Sequence, residues 1–130
     1  MSNLKLQLPS NHDDARDMLN GRKRMRIGHN TYMIINPVNL AVTIEYHGSV
    51  IARLTRDNEL SLTLAGYPTA TTRTRLHLIM IAFGLAYDYA ICQRNHRQML
   101  WNKADDTYTE IGSMDAVVFQ HGNLQSIYNY

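Results

Sequence analysis

The densest run of side chains able to do chemistry falls between Gly66 and His77. There Thr69, Thr71, Thr72, Arg73, Thr74 and Arg75 crowd the expected start of a helix. Free backbone N–H groups and the positive end of the helix dipole favour an anion at such a place, and hydroxyls and guanidinium groups add to it. Arg73 and His77 stand one helical turn apart, so both would rim one groove. A capping turn would also use threonine here, but it needs a single hydroxyl. The segment has two readings. It is a capped helix start, or it is an anion- or partner-binding site made by Thr69, Thr71, Thr72, Arg73, Arg75 and His77 together with Asn30.

A second group is basic. Residues 21–26 (GRKRMR) hold Arg22, Lys23, Arg24 and Arg26 with no acid among them, and Asp13, Asp14 and Asp17 precede them. The run reads as a solvated connector partly neutralised by the helix before it, or as a contact for nucleic acid. The six histidines, His12, His29, His47, His77, His96 and His121, are scattered. None forms an HxH or HExxH pattern or has an acid at a helical offset, so no metal site is expected. One cysteine, Cys92, excludes an internal disulfide and a cysteine metal cluster, and its place between Ile91 and Gln93 reads as a small core residue. Phosphate loops and nucleophile elbows of the GxxxxGK, GxGxxG or GxSxG kind do not occur, and no cofactor is expected. A catalytic alternative takes His47 as general base, Arg73 and Arg75 as phosphate clamps, and Asn30 or Thr72 as positioning groups. That set would make a small metal-independent nuclease or nucleotide-processing hydrolase.

These residues need a scaffold, and 130 residues with 45% apolar and 18% charged side chains are enough for one compact domain spanning residues 1–130. No apolar run nears the roughly 20 residues that cross a bilayer, and the first fourteen residues lack a signal-peptide stretch. The expected compartment is a reducing cytoplasm, away from membranes. Ser10 is placed to cap a short helix over residues 13–20. Residues 31–36, rich in β-formers, end at Pro37. Residues 40–46 (LAVTIEY) alternate, with Leu40, Val42, Ile44 and Tyr46 on one face. His47–Gly48 turns the chain into residues 49–55, and Asp57–Asn58 turns it into residues 59–64, which makes an antiparallel meander.

A helix over residues 72–83, capped by Thr71 or Thr72, buries Leu76, Ile79, Met80 and Phe83, with Gly84 as its stop. Residues 87–92 and 97–102 read as strands about a turn at residues 94–96, and residues 107–111 and 115–120 read as two more. The ends, residues 1–9 and 125–130, are expected to be flexible. The fold class is α+β: an antiparallel meander packed on one central helix, with a short N-terminal helix and further C-terminal strands.

Residues 21–78 resemble a family of small bacteriophage and prophage proteins. The family runs from a basic start through Asn-Thr-aromatic, here Asn30-Thr31-Tyr32, to an apolar strand ending in His, here LAVTIEYH to His47. After a hairpin comes Gly-aromatic-x-Thr-x-Thr-Thr-basic-x-Arg, here Gly66 to Arg75. Ala65 and His77 stand where the family carries glycine and asparagine. The resemblance implies phage origin and expression inside a bacterial host, and it carries no activity with it. Within that setting three functions remain. The first is a binding protein that contacts nucleic acid or inhibits a host nucleoprotein machine such as a CRISPR or restriction complex, with Tyr32, Tyr67 and Trp101 able to stack or anchor. A net charge of +2 sets it apart from acidic DNA mimics. The second is the hydrolase above, and the third is a virion or assembly component.

Overall fold

A computed structural model describes residues 5–129. Its elements are α1 (His12–Leu19), β1 (Arg24–Gly28), β2 (Thr31–Ile35), β3 (Val42–Tyr46), β4 (Ser49–Leu54) and β5 (Leu60–Thr63). They continue with α2 (Ala70–Ala82), β6 (Tyr89–Arg94), β7 (Arg97–Asn102), β8 (Thr107–Glu110), β9 (Ala116–Gln120) and β10 (Asn123–Tyr128). The class is α+β. Seven strands form an antiparallel sheet in the order β1-β2-β3-β4-β5-β9-β10, and β6-β7-β8 form a second sheet. Thus β9 and β10 return past the second sheet to extend the meander beyond β5.

Local chemistry explains the hairpins. His47–Gly48, Asn95–His96 and His121–Gly122 each hold two consecutive residues at positive φ, the mirror-image turn whose twist suits antiparallel strands. Histidine and asparagine tolerate that region better than most residues. With His29 in the β1–β2 turn, four of the six scattered histidines are turn residues. His12 is different: it is buried in α1, and its Nε2 lies 2.6 Å from the carbonyl oxygen of Leu40.

Period-two alternation places Met33, Val42, Ile44, Ala52, Leu60, Leu62, Val117 and Phe119 on the inner face of the large sheet. There α2 adds Leu76, Ile79 and Met80, α1 adds Ala15 and Leu19, and the small sheet adds Tyr89, Ile91 and Leu100, all in one continuous core. Tyr89 meets the Phe119 ring edge-on at 5.1 Å, joining the two sheets directly.

Several expectations are corrected. The basic run is a connector only in its first half: residues 21–23 link α1 to β1, whereas residues 24–28 are an edge strand whose Met25 and Ile27 turn to the core while Arg24 and Arg26 turn away. Leu40, at φ 62°, belongs to the turn before β3 rather than to the strand. Asn11 caps α1, accepting from Asp14 N at 2.8 Å, while Ser10 N donates back to the Asp14 carboxylate at 2.9 Å. The two residues share the capping work as a reciprocal box. Thr69, not Thr71 or Thr72, caps α2. Most of the expected C-terminal tail is β10, paired with β9 through a bulge at Gln125. At the other end, Gln7 N donates to Ile27 O at 2.9 Å, and a side chain at Gly28 would run into Leu6. Residues 5–9 are thus strapped along β1. Residues 1–4 and Tyr130, also expected to be flexible, lie outside the described residues.

Candidate functional site

The expected site residues fall into three places. At the first, the start of α2 meets the β1–β2 turn and the β3–β4 turn. Asn30 (φ 49°) and His47 (φ 52°) are turn residues, and His47 N donates to Asn30 O at 3.0 Å. Thr69 Oγ1 accepts from Thr72 N and lies 3.1 Å from Thr71 Oγ1 and 3.0 Å from Thr72 Oγ1, so the three hydroxyls largely satisfy one another. With Tyr46, His47 and Tyr67 they line a recess of about 310 Å³. The sequence separates these groups by up to 42 positions, and the strand ends bring them together.

Arg75 is drawn inward instead of standing on the flank of this turn. Thr72, Arg75, Leu76, Ile79 and Met80 repeat at helical spacing and are all buried, so position 75 belongs to the core stripe. Arg75 is 4% exposed. Its Nε donates to Thr31 Oγ1 (3.0 Å), Nη1 to Thr71 O (3.2 Å) and Nη2 to His29 O (3.1 Å), and the guanidinium lies 3.7 Å from the Tyr46 ring centre. No ion pair holds it among the described residues. Burial pulls its pKa below the ordinary arginine value, and Tyr46 opposes that pull. The side chain ties α2 to the β1–β2 turn, and the catalytic alternative loses one of its two phosphate clamps.

The second place is a shallow groove of about 410 Å³ between α2 and β6, lined by Arg73, His77, Cys92 and Gln93 among others. Arg73 Nη1 donates to Gln98 Oε1 (2.9 Å), Gln93 Oε1 (3.2 Å) and Pro68 O (3.2 Å), which couples the helix start to the small sheet. Burial pushes the Cys92 thiol pKa up, against the pull of Arg94 and Arg73, so this cysteine is not an activated nucleophile.

The third place is β1 and the large-sheet face turned away from the core. Arg22 is already engaged: its Nε and Nη2 donate to the carbonyls of Leu19 (2.9 Å) and Met18 (3.0 Å), at the negative end of α1. Lys23 is exposed. Arg24 lies over the Tyr32 ring at 3.9 Å, and Arg26 Nε donates to Gly28 O at 3.1 Å. Pairing carries a row from Arg24 through Ile34, Thr43 and Arg53 to Ser61. Arg53 thus shares the face with Arg24 and Arg26, while Glu45 is the one acidic side chain that the strands of this sheet turn the same way. Sequence reasoning missed Arg53 as a partner of the basic run. The Arg-Met-Arg-Ile alternation was the one local signal for β1.

Among the described residues no group of His, Cys, Asp or Glu is placed to hold a metal ion, and no helix is long and apolar enough to cross a membrane. No curated protein and no solved structure matches the chain. A family does match, and it covers both helices, both sheets and all three places just described. Over residues 11–126 the chain fits the Kyanoviridae Gp96 protein family, so it is a phage protein and belongs to that family.

Proposed function

We propose that this phage protein works by binding, and that it contacts nucleic acid, free or within a host nucleoprotein complex, through β1 and the outer face of the large sheet. The observation that carries this reading is the shared orientation of Arg24, Arg26 and Arg53 on a face that neither helix covers, opposed by Glu45 in the strands and by Glu59 at the trough beside Arg53. Such spaced cations on an open sheet suit a polyanion. The hydrolase reading is weaker, because Arg75 is committed to the interior and, among the described residues, His47 has no carboxylate to orient it.

The test is a variant in which Lys23, Arg24 and Arg26 are all changed to serine, with Arg22 kept because it caps α1. Binding to labelled oligonucleotides is followed by fluorescence anisotropy through a salt titration. Every phosphate that the variant no longer neutralises takes about 0.7–0.9 from the slope of log K against log salt. The slope should therefore fall by roughly 2–3 while the melting temperature changes little. Equal affinity and slope in parent and variant would remove β1 from the function. Copurification of a host protein complex without nucleic acid would favour a protein partner instead.

A further inference from the structure

Three of the exposed large apolar side chains, Val50 (41%), Met114 (53%) and Tyr128 (58%), converge on one trough of about 660 Å³ on the outer face of the large sheet. Ser61 and Thr63 of β5 line it between them, and Arg53 stands beside them. The Met114 wall is held by the backbone. Gly112 N donates to Asp115 Oδ2 (2.6 Å) and closes the turn, and Gly66 N donates to Ser113 O (2.9 Å), which pins that turn to the end of β5. The Arg53 side chain makes no hydrogen bond or ion pair among the described residues, although Glu59 lines the same trough.

Five interstrand steps separate β2 from β10, about 24 Å at the usual spacing. Tyr32 with Arg24 marks one end of that span, Arg53 its middle and Tyr128 its far end. An exposed ring at Tyr128 and cations spaced across an open sheet match a strand with splayed bases, whereas a duplex keeps its bases stacked within. We infer that the trough takes one unpaired base of a single-stranded nucleic acid, stacked on Tyr128 against Met114. Arg53 then meets the adjoining phosphate, and the strand runs on toward Arg24 and Arg26. This rests on the nucleic-acid reading above. The other aromatic surface, Trp101 stacked on Tyr108 at 5.6 Å, is already filled: Arg94 and Lys103 lie over those rings, and Asp106 accepts the indole N–H.

The experiment measures anisotropy of a labelled ten-nucleotide single strand, as DNA and as RNA, and of a twenty-base-pair duplex. The proteins are the parent, Tyr128→Ala, Tyr128→Phe, Tyr108→Ala and the β1 triple-serine variant. The parent should bind a single strand at least tenfold tighter than duplex. Tyr128→Ala should lose about tenfold on single strands with its salt slope unchanged, Tyr128→Phe should retain the affinity, and Tyr108→Ala should bind like the parent. Tyr128 is more than half exposed, so its variants should melt with the parent. If the triple variant weakens binding while Tyr128→Ala does not, the trough is overturned and the β1 reading stands. Equal affinity for duplex and single strand also overturns the trough. Absence of binding by the parent overturns both.

Discussion

Arg75→Ala should be a stability variant and not a binding variant. The substitution removes three charge-assisted hydrogen bonds, to Thr31 Oγ1, Thr71 O and His29 O, and the contact with Tyr46. A net hydrogen bond to a charged group contributes roughly 1.5–3 kcal/mol, but contacts made by one side chain do not add. Thr31 Oγ1 keeps its own donation to His29 O at 2.7 Å, and water can reach the freed acceptors through the recess that Tyr46 and Thr71 line. A loss of about 3 kcal/mol follows, at the lower end of what removing one member of a buried charged cluster costs. In a chain of this length each kcal/mol moves the melting temperature by about 3–4 °C, so the midpoint should fall by about 10 °C. Arg75→Lys keeps the charge but cannot span three acceptors, and should fall about half as far. Thermal and urea melts measure both, and anisotropy at low temperature measures binding by the fraction still folded. An Arg75→Ala melt within about 2 °C of the parent, or weakened binding at full stability, would refute the assignment.

Thr69→Ala should cost about 1 kcal/mol in urea melts through loss of the α2 cap, while Thr71→Ala, at an exposed position, should cost a few tenths. Because burial raises the Cys92 pKa, the folded protein should react with iodoacetamide more slowly at pH 8 than the urea-unfolded chain. The stability linked to this thiol is fully present below its unfolded-state pKa and is lost as pH rises through the folded-state value. Truncation after Gly122 removes β10, uncovers Val117 and Phe119 and strips Tyr89 Oη of its partner, the N–H of Leu124. The midpoint by circular dichroism should drop by more than about 10 °C, and an unchanged midpoint would return these residues to the status of a tail.

Short-range rules were readable from residue order. Alternation in Val42–Tyr46 and the turns at His47–Gly48 and Asp57–Asn58 specify β3, β4 and β5, because pleat and turn chemistry act over a few residues. The stripe of Leu76, Ile79 and Met80 likewise specifies the buried side of α2. Local pattern misled where a strand lies at an edge. Arginines at alternate positions of β1 looked like a solvated connector, and the bulge at Gln125 breaks the period of β10 so that it read as a tail. Arg75 shows the same limit in a helix: its type says surface, yet its phase says core, and only the acceptors offered by Thr31 and His29, 44 and 46 residues away, let the charge be buried. The outer face depends still more on tertiary structure. Arg24, Arg53 and Tyr128 share it because the β1–β5 register is carried across to β9 and β10, and pairing between strands so distant in sequence is set by how the whole core closes.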